Sequence, residues 1–452
     1  MNRTFYLHTY GCQMNERDSE MVAACLEQQG FRQVDEESEA EVIIVNTCSV
    51  REKAEEKALG KLGLLAASKR NRPERRVGVM GCMAQRLGTH LLRCVPDLDF
   101  VVGTGRVHRL PEVIRTVMEE GGPVVDVGDP GDERPPQEPF RPSPGPTAFV
   151  NILYGCNRRC SYCIVPTVRG RQRSRPVTAI LAEVEGLVRA GVREVTLLGQ
   201  DVMAYGKSDP PGEFPAPSAR GFREPFPRLL EAVSQIPGLW RLRFTSGHPS
   251  GCTNELVQAM AELAPVCEHL HLPLQSASDR ILRRMRRGYT VETYRRAVAR
   301  LRAAIPHLAI TTDVIVGFPG ETEEDFERTR VFMDEIGFAN AFVFKYSVRP
   351  GTAAAEWEET VPEEEKQRRN QILLADQNRR SQALHDRMVG QVVEVVAEGP
   401  SLRNAERWSG RTRTHSIVIF SNPGSVQVGD RVFVRIARAM PQTLYGEVVS
   451  HE

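Results

Sequence analysis

No stretch of this chain approaches the ~18 consecutive apolar residues that a membrane-spanning helix needs. Met1 to Tyr10 also lacks the charged start and long apolar core of a secretory signal. The expectation is a soluble, cytoplasmic protein with no membrane partner. There is almost no net charge either: 59 Lys and Arg stand against 58 Asp and Glu, leaving +1. No global field therefore draws the molecule to nucleic acid, and any such contact falls to local patches. The ten cysteines are not paired in the manner of a small disulfide-stapled secreted domain, which fits a reducing compartment better. The length allows about three domains at the usual ~150 residues each.

What the chain does have is concentrated in Tyr154-Gly155-Cys156-Asn157-Arg158-Arg159-Cys160-Ser161-Tyr162-Cys163. Three cysteines in this CxxxCxxC loop can hold three irons of a four-iron cubane, and the spacing supplies no fourth thiolate. One iron would stay open to a small molecule, into which the cluster can deliver an electron. A zinc knuckle is the other reading, since Cys160 and Cys163 make a CxxC pair. Structural zinc takes four Cys or His ligands, however, and the nearest histidine downstream is His248.

From Met1 to about Gly122, strand-like runs at Thr4–Thr9, Glu41–Asn46 and Arg76–Met80 alternate with helix-like runs at about Glu16–Gln29, Arg51–Lys69 and Ala84–Cys94. Asp99–Val102 and the run after Arg106 continue the pattern. Such alternation, with near-continuous apolar strands, predicts an open parallel sheet with helices on both faces. Cys12, Cys48 and Cys82 each come just after one of the first three strands. Strand ends of an open parallel sheet share one edge, where ligand sites form, so these cysteines are candidates for a second three-thiolate cluster. The alternative is three small apolar residues closing strands. Cys25 and Cys94 fall in helix-like runs and read as small buried hydrophobes.

Residues 123–146 hold eight of the thirty prolines and read as an extended linker. A central domain, 147–376, shows strands at Ala148–Leu153, Glu194–Leu198, Arg241–Thr245, His269–Leu274, Ala309–Val316 and Ala341–Tyr346, mostly with helical patterns between them. Six such units predict a parallel barrel, complete or open, with its chemistry at the strand C-termini. Gly199, Ser246, Gln275 and Gly317 stand just after strands and are cofactor-pocket candidates. Two arginine runs, Arg169/Arg171/Arg173/Arg175 and Arg283/Arg284/Arg286/Arg287, are solvated faces or phosphate contacts beside the barrel mouth.

Residues 380–452 turn all-β and predict a small antiparallel barrel, with strands at Gln391–Ala397, Thr414–Phe420, Arg431–Ala439 and Thr443–Val449. Between Pro400 and Arg438, Arg403, Arg407, Arg411, Arg413, Arg431, Arg435 and Arg438 face only Glu406 and Asp430. Trp408, read as lying in a polar loop, and Phe420 interleave with them, a combination suited to RNA. Phe420 is expected in the barrel core. Arg403, Arg407, Trp408, Arg411 and Arg413 are the candidate RNA contacts.

Over essentially its whole length the chain resembles the radical S-adenosylmethionine methylthiotransferases. The matching features are the three-domain order, the three separated N-terminal cysteines, the central CxxxCxxC and a C-terminal barrel of the TRAM type. It is most similar to the MiaB branch in Asn46-Thr47-Cys48-Ser49-Val50-Arg51-Glu52, Tyr154-Gly155-Cys156-Asn157, Cys163-Ile164-Val165-Pro166, Leu274-Gln275-Ser276, Arg287-Gly288-Tyr289 and Gly410-Arg411-Thr412-Arg413-Thr414. Ala277 stands where the family commonly has Gly, and Gly199-Gln200-Asp201-Val202-Met203 varies a more usual Gln-Asn-Val-Asn. The fold the resemblance implies is α/β: an open parallel sheet, a radical-SAM (βα)6 partial barrel and the TRAM barrel.

The activity it implies is addition of a methylthio group to C2 of N6-isopentenyladenosine beside the tRNA anticodon, with two 4Fe-4S clusters and S-adenosylmethionine as cofactors. Cys156, Cys160 and Cys163 would carry the cluster that cleaves S-adenosylmethionine to a 5'-deoxyadenosyl radical, with Tyr162 near the cofactor's adenine. Cys12, Cys48 and Cys82 would carry the cluster that delivers sulfur. The implied partners are the tRNA anticodon stem-loop, a reducing electron donor such as flavodoxin, and a sulfur donor. The competing readings are methylthiolation of a ribosomal-protein aspartate or of threonylcarbamoyl-adenosine in tRNA, and a non-catalytic iron-sulfur RNA-binding regulator.

Overall fold

The computed structural model describes residues 3–49, 52–130, 145–401 and 403–452. Val50, Arg51 and most of the proline-rich linker (131–144) lie outside the described residues. The chain divides into two compact units. One comprises the N-terminal region with Leu153–Arg159 and Cys163–Arg175. The other comprises the strand before residue 153, Cys160–Tyr162 and everything from Pro176 onward.

In the first unit, strands β1 (Thr4–Thr9), β2 (Arg32–Gln33), β3 (Val42–Thr47), β4 (Arg76–Gly81), β5 (Phe100–Val102) and β6 (Val124–Asp126) form one parallel sheet in the order β2-β1-β3-β4-β5-β6. β3 is buried throughout, as a central strand covered on both faces must be. Its side chains alternate between two cores. Val42 and Ile44 meet helix α1 (Gln13–Gln28) and, near the end of the unit, Leu110 and Ile114; Ile43 and Val45 meet Leu62 and Leu65 of α2 (Glu52–Ser68) and Leu91. Short helices α3 (Cys82–Leu87) and α4 (His90–Cys94) follow β4, and α5 (Leu110–Glu119) follows β5.

Two elements correct the sequence reading. β2 is a two-residue edge strand with no apolar run to announce it. β6 falls inside the stretch read as linker, where Pro123 precedes the strand and so costs the ladder nothing at an edge. Because β2 lies on one side of β1 and β3 on the other, the strand order reverses between β1 and β3. In open parallel sheets the crevice beyond the strand C-termini at such a reversal is where ligands bind.

The chain then forms β7 (Thr147–Asn151), which belongs to the second unit, and returns to the first for β8 (Leu153–Tyr154), α6 (Val165–Arg169) and β9 (Arg173–Ser174). The second unit continues with α7 (Val177–Arg189), β10 (Glu194–Leu198), α8 (Pro225–Ser234), β11 (Arg241–Phe244), α9 (Asn254–Glu262), β12 (His269–His271), α10 (Asp279–Arg284), α11 (Val291–Ala304), β13 (Ala309–Val316), α12 (Glu323–Ile336) and β14 (Asn340–Lys345). Parallel strands run in the orders β11-β10-β7 and β12-β13-β14, with a parallel bridge between Leu242 and Val266. Among the described residues β14 forms no ladder with β7, so the six βα units make a partial barrel. Along β13 the residues alternate between buried and half-buried, the pattern of a strand with one face on the helices and one on the lumen.

Helix α13 (Glu363–Asp386) leads into β15 (Val392–Ser401), β16 (Asn404–Thr412), β17 (Ile417–Ser421), β18 (Arg431–Met440) and β19 (Thr443–His451), which close a five-stranded barrel. α13 runs unbroken past residue 376 because neither Pro nor Gly interrupts it. The barrel is antiparallel except where β17 pairs with β19 in parallel, which corrects the purely antiparallel expectation. β16 was not legible: its sequence, NAERWSGRT, has no apolar alternation, and pairing with β15 and β17 makes it a strand. Trp408 therefore lies on a strand rather than in a loop, and packs against the barrel core beside the fully buried Phe420. Among the described residues no helix is long and apolar enough to cross a membrane.

Candidate active site

Cys12 caps α1 after β1, Cys48 follows β3 and Cys82 opens α3 after β4, so the three stand at the strand ends beside the reversal. Two glycines allow this approach. At Gly11 (φ +141°) a Cβ would come within 2.8 Å of the Cys48 Cβ, and at Gly81 (φ +96°) within 2.5 Å of Asn46 Oδ1. A buried amide network fixes the loops to one another. Asn15 Nδ2 donates to Asn46 Oδ1 and to the Thr47 carbonyl, both at 3.0 Å, and Asn46 Nδ2 donates to the Asn15 carbonyl at 2.8 Å. The Thr47 hydroxyl donates to the Met80 carbonyl at 2.7 Å.

Burial pushes the Cys82 thiol up to about 11, Arg169 pulls against that, and Cys48 and Cys12 add to the rise. Arg169, on α6, pairs with Asp18 at 2.7 Å with both side chains only 7% exposed, while Ile164 and Val168 pack on Cys82. The segment that follows Cys163 is therefore seated on Cys82 inside the first unit. Desolvated thiols beside a buried cation are suited to binding as thiolates, because the cation offsets part of the charge that ligation creates.

The CxxxCxxC loop is shaped by Gly155 (φ +63°), where a Cβ would strike the Arg171 carbonyl at 2.2 Å. In the first unit the Arg158 amide donates to Cys156 Sγ at 3.4 Å and the Cys156 amide to the Gly170 carbonyl at 3.1 Å. In the second unit Arg287 Nη1 donates to Cys160 Sγ at 3.2 Å. The Ser161 amide donates to the Met285 carbonyl at 3.0 Å, its hydroxyl to the Arg284 carbonyl at 2.8 Å, and Tyr162 meets Phe318 edge-on at 6.3 Å. N–H groups aimed at sulfur fit ligands of an iron-sulfur cluster, whose electronics such bonds tune. Among the described residues no three His, Cys, Asp or Glu side chains converge closely enough to hold a single metal ion. A cubane differs, because each cysteine reaches its own iron.

The four pocket candidates lie at the ends of the barrel strands. Gly199 is buried after β10. Ser246 (φ +61°) and Gln275 (φ +67°) are non-glycine residues in the left-handed region, at a cost of roughly 1–3 kcal/mol each, a strain that clusters at functional sites. Gly317 (φ +70°) has Lys366 Cγ where a Cβ would stand, at 2.3 Å, and its amide donates to Glu321 Oε2 at 2.6 Å.

Asp325 ties two of these loops together, accepting from the Ser278 hydroxyl at 2.6 Å, from the Thr322 amide at 3.0 Å and from Arg280. Burial alone would raise its carboxyl, but these hydrogen bonds outweigh burial and hold it at about 2 against an ordinary 3.8. A depressed carboxyl stabilises the fold above its ordinary pKa and loses that contribution as pH falls through the depressed one. Asp325→Asn should therefore lower the unfolding midpoint at neutral pH, and its deficit against the wild type should shrink between pH 3.8 and 2. An equal deficit at all pH values would assign the role to packing instead of charge.

The C-terminal arginines divide into two sets. Arg403 and Arg407 are exposed. Arg411 pairs with Glu398 at 2.8 Å, and Arg413 is bidentate to Glu268 at 2.8 Å and 2.8 Å. The turn that carries Arg411 to Arg413 is in turn gripped by Arg241 and Arg243 of β11. Arg241 Nη1 donates to the Arg411 carbonyl at 2.6 Å, Arg243 Nη1 to the Arg413 carbonyl at 2.7 Å and Arg243 Nη2 to the Thr412 carbonyl at 2.7 Å. Glu194, also buried, receives Arg243 Nε at 2.7 Å. Burial alone would raise the Glu194 carboxyl, but Arg243 and Arg241 outweigh it and hold it below its ordinary value.

These residues escaped the sequence reading. The available signal was that Glu194, Arg241 and Arg243 are charges inside strands of the expected parallel barrel, where a buried charge survives only when paired. The arginine runs are similarly split: Arg169 and Arg287 are buried, whereas Arg171, Arg283 and Arg286 are exposed.

Three family models match the chain: the Radical SAM superfamily over residues 150–333, the uncharacterized protein family UPF0004 over 4–103 and the TRAM domain over 386–449. Among solved structures, the radical S-adenosylmethionine methyltransferase TsrM of Kitasatospora setae aligns with a TM-score of 0.58 at 16% identity, covering 78% of this chain and 77% of that one. That likeness is one of fold. A curated tRNA-2-methylthio-N(6)-dimethylallyladenosine synthase of Akkermansia muciniphila is 46% identical over 98% of this chain and 98% of its own length. Its namesake in Carboxydothermus hydrogenoformans is 44% identical over 99% of each. The chain belongs to the tRNA-2-methylthio-N(6)-dimethylallyladenosine synthase family. Like the rest of that family it is a radical SAM enzyme, with S-adenosylmethionine and a [4Fe-4S] cluster as cofactors and a second cluster implied by the family.

Proposed function

We propose that the chain adds a methylthio group to C2 of N6-isopentenyladenosine beside the anticodon of tRNA. The observation that carries this reading is the end-to-end similarity to curated relatives of that name, in a chain with two separate cysteine triads. In this reading the division of labour is 1–126, which takes in β6, for the second cluster, 147–376 for radical chemistry and 380–452 for RNA, with the stretch between the first two as linker. Cys156, Cys160 and Cys163 hold the cluster that binds S-adenosylmethionine, and Cys12, Cys48 and Cys82 hold the other.

When bound, these groups supply one-electron cleavage of S-adenosylmethionine and the sulfur for transfer, chemistry that no side-chain acid or base can perform on an unactivated C2–H. The residues around them position and desolvate. Arg169 and Asp18 keep a cation beside the Cys12 and Cys82 thiols, Tyr162 would pack on the cofactor's adenine, and Gly199, Ser246, Gln275 and Gly317 would line its pocket. The target base leaves its stack to reach the barrel. A reduced donor such as flavodoxin and a sulfur donor serve the enzyme in the cytoplasm.

RNA contact falls to Arg403, Arg407 and the exposed edge of Trp408, with Arg411 and Arg413 orienting the strand that carries them. Arg403→Glu with Arg407→Glu should weaken tRNA binding and flatten its salt dependence, by a slope of about one for each phosphate no longer engaged. An unchanged salt slope would place the RNA elsewhere.

The test of the activity is incubation of reduced, cluster-reconstituted protein with isopentenylated tRNA and S-adenosylmethionine. A 2-methylthio nucleoside is expected. Modification of ribosomal protein or of threonylcarbamoyl-adenosine in its place would refute the assignment, and failure to release 5'-deoxyadenosine under any reductant would refute catalysis.

A further inference from the structure

Arg287, just beyond α10, is only 7% exposed, yet among the described residues it is paired with no carboxylate. Its hydrogen bonds go to Cys160 Sγ (Nη1, 3.2 Å) and to the Tyr289 hydroxyl (Nε, 3.4 Å). Its guanidinium also lies 5.4 Å from the centroid of the Tyr289 ring. Tyr289 is itself anchored, its hydroxyl donating to the Leu274 carbonyl at 2.6 Å, so the guanidinium is held against the sulfur. A buried cation with no carboxylate beside it is costly unless a negative charge arrives at the same place. Two ionisable tyrosines, Tyr162 and Tyr289, lie near it, and phenols stay neutral at neutral pH; the Cys160 sulfur to which it is hydrogen-bonded becomes anionic when it ligates iron.

We propose that Arg287 is a positioning residue for the cluster on Cys156, Cys160 and Cys163, holding Cys160 in its ligating position and raising the reduction potential of that cluster. The inference rests on Cys160 being a ligand, as proposed above. An added electron makes the cluster more negative, so a fixed cation bonded to one of its sulfurs stabilises the reduced form more than the oxidised one. The effect favours uptake of the electron on which S-adenosylmethionine cleavage depends.

The test is a redox titration of the reconstituted full-length protein followed by electron paramagnetic resonance. The cluster in question is recognised because S-adenosylmethionine perturbs its signal. In Arg287→Gln the reduced-to-oxidised ratio of that cluster at a fixed potential should fall at least about tenfold, or 59 mV for a one-electron couple. In Arg287→Lys, which keeps the charge, the fall should be smaller, and the other cluster should titrate unchanged in both. Loss of the S-adenosylmethionine-responsive cluster alone, with the other retained, would also support the assignment, since it shows Cys160 released. A wild-type midpoint in Arg287→Gln would overturn it, as would loss of both clusters, which would mean that Arg287 serves the fold at large. If no signal of the wild-type protein responds to S-adenosylmethionine, the ligand reading itself fails.

Discussion

Cys82→Ala is expected to abolish methylthio transfer to tRNA, by at least about a thousandfold, while 5'-deoxyadenosine is still released from S-adenosylmethionine. The division follows from the placement of the two triads. Cys82 sits at the end of β4 in the parallel sheet, with Cys48 and Cys12 close enough to shift its ionisation, and none of the three belongs to the CxxxCxxC loop. Removing one sulfur from a buried site costs the fold on the order of 1 kcal/mol, so the variant should be recovered folded. Cys160→Ala gives the contrasting result, with neither 5'-deoxyadenosine nor methylthio product. Both products are measured on the same reaction by mass spectrometry. If Cys82→Ala still forms the methylthio nucleoside, the second triad has no part in sulfur transfer.

Arg243→Ala should destabilise the fold more than Cys82→Ala does. The side chain is 2% exposed and is shared between Glu194, at 2.7 Å, and the carbonyls of Thr412 and Arg413. Its removal leaves Glu194 with Arg241, at 3.5 Å, as its guanidinium partner in this cluster. Breaking a buried pair from one side costs about 3–5 kcal/mol. The effect should be local as well as global. Amide exchange through the Arg411–His415 turn should accelerate first, as the TRAM barrel loses its grip on the start of β11. Affinity for tRNA should fall with it, although no exposed arginine has been touched. Exchange in that turn at the wild-type rate would show that the barrel is held in other ways, such as Arg413 on Glu268.

The parallel strands were legible because burial on both faces leaves a continuous apolar signature, as in Val42-Ile43-Ile44-Val45. The cysteines were legible because each follows such a strand. β2 and β6 were missed for a different reason: two or three residues at an edge carry no periodicity, and their neighbours make them strands. β16 was missed because a highly exposed barrel strand has no apolar face to display. Polar partners were the least visible class. Asn15, Asn46, Asp18, Arg169 and Arg287 have the composition of a solvated surface, and only tertiary structure reveals that each is buried against a cysteine loop or a cysteine itself. The Arg411-Thr412-Arg413 segment shows the same difficulty in reverse. Its charges suggested RNA, whereas its backbone carbonyls and its two arginines are engaged within the chain.

The most direct measurement is the iron and acid-labile sulfide content of the anaerobically reconstituted wild-type chain, taken beside that of Cys12→Ala/Cys48→Ala/Cys82→Ala. Two cubanes predict about eight irons and eight sulfides in the wild type and about four of each in the triple variant. About four irons in both proteins would leave the Cys12, Cys48 and Cys82 triad without a cluster and contradict the two-cluster assignment, as would zinc in place of iron.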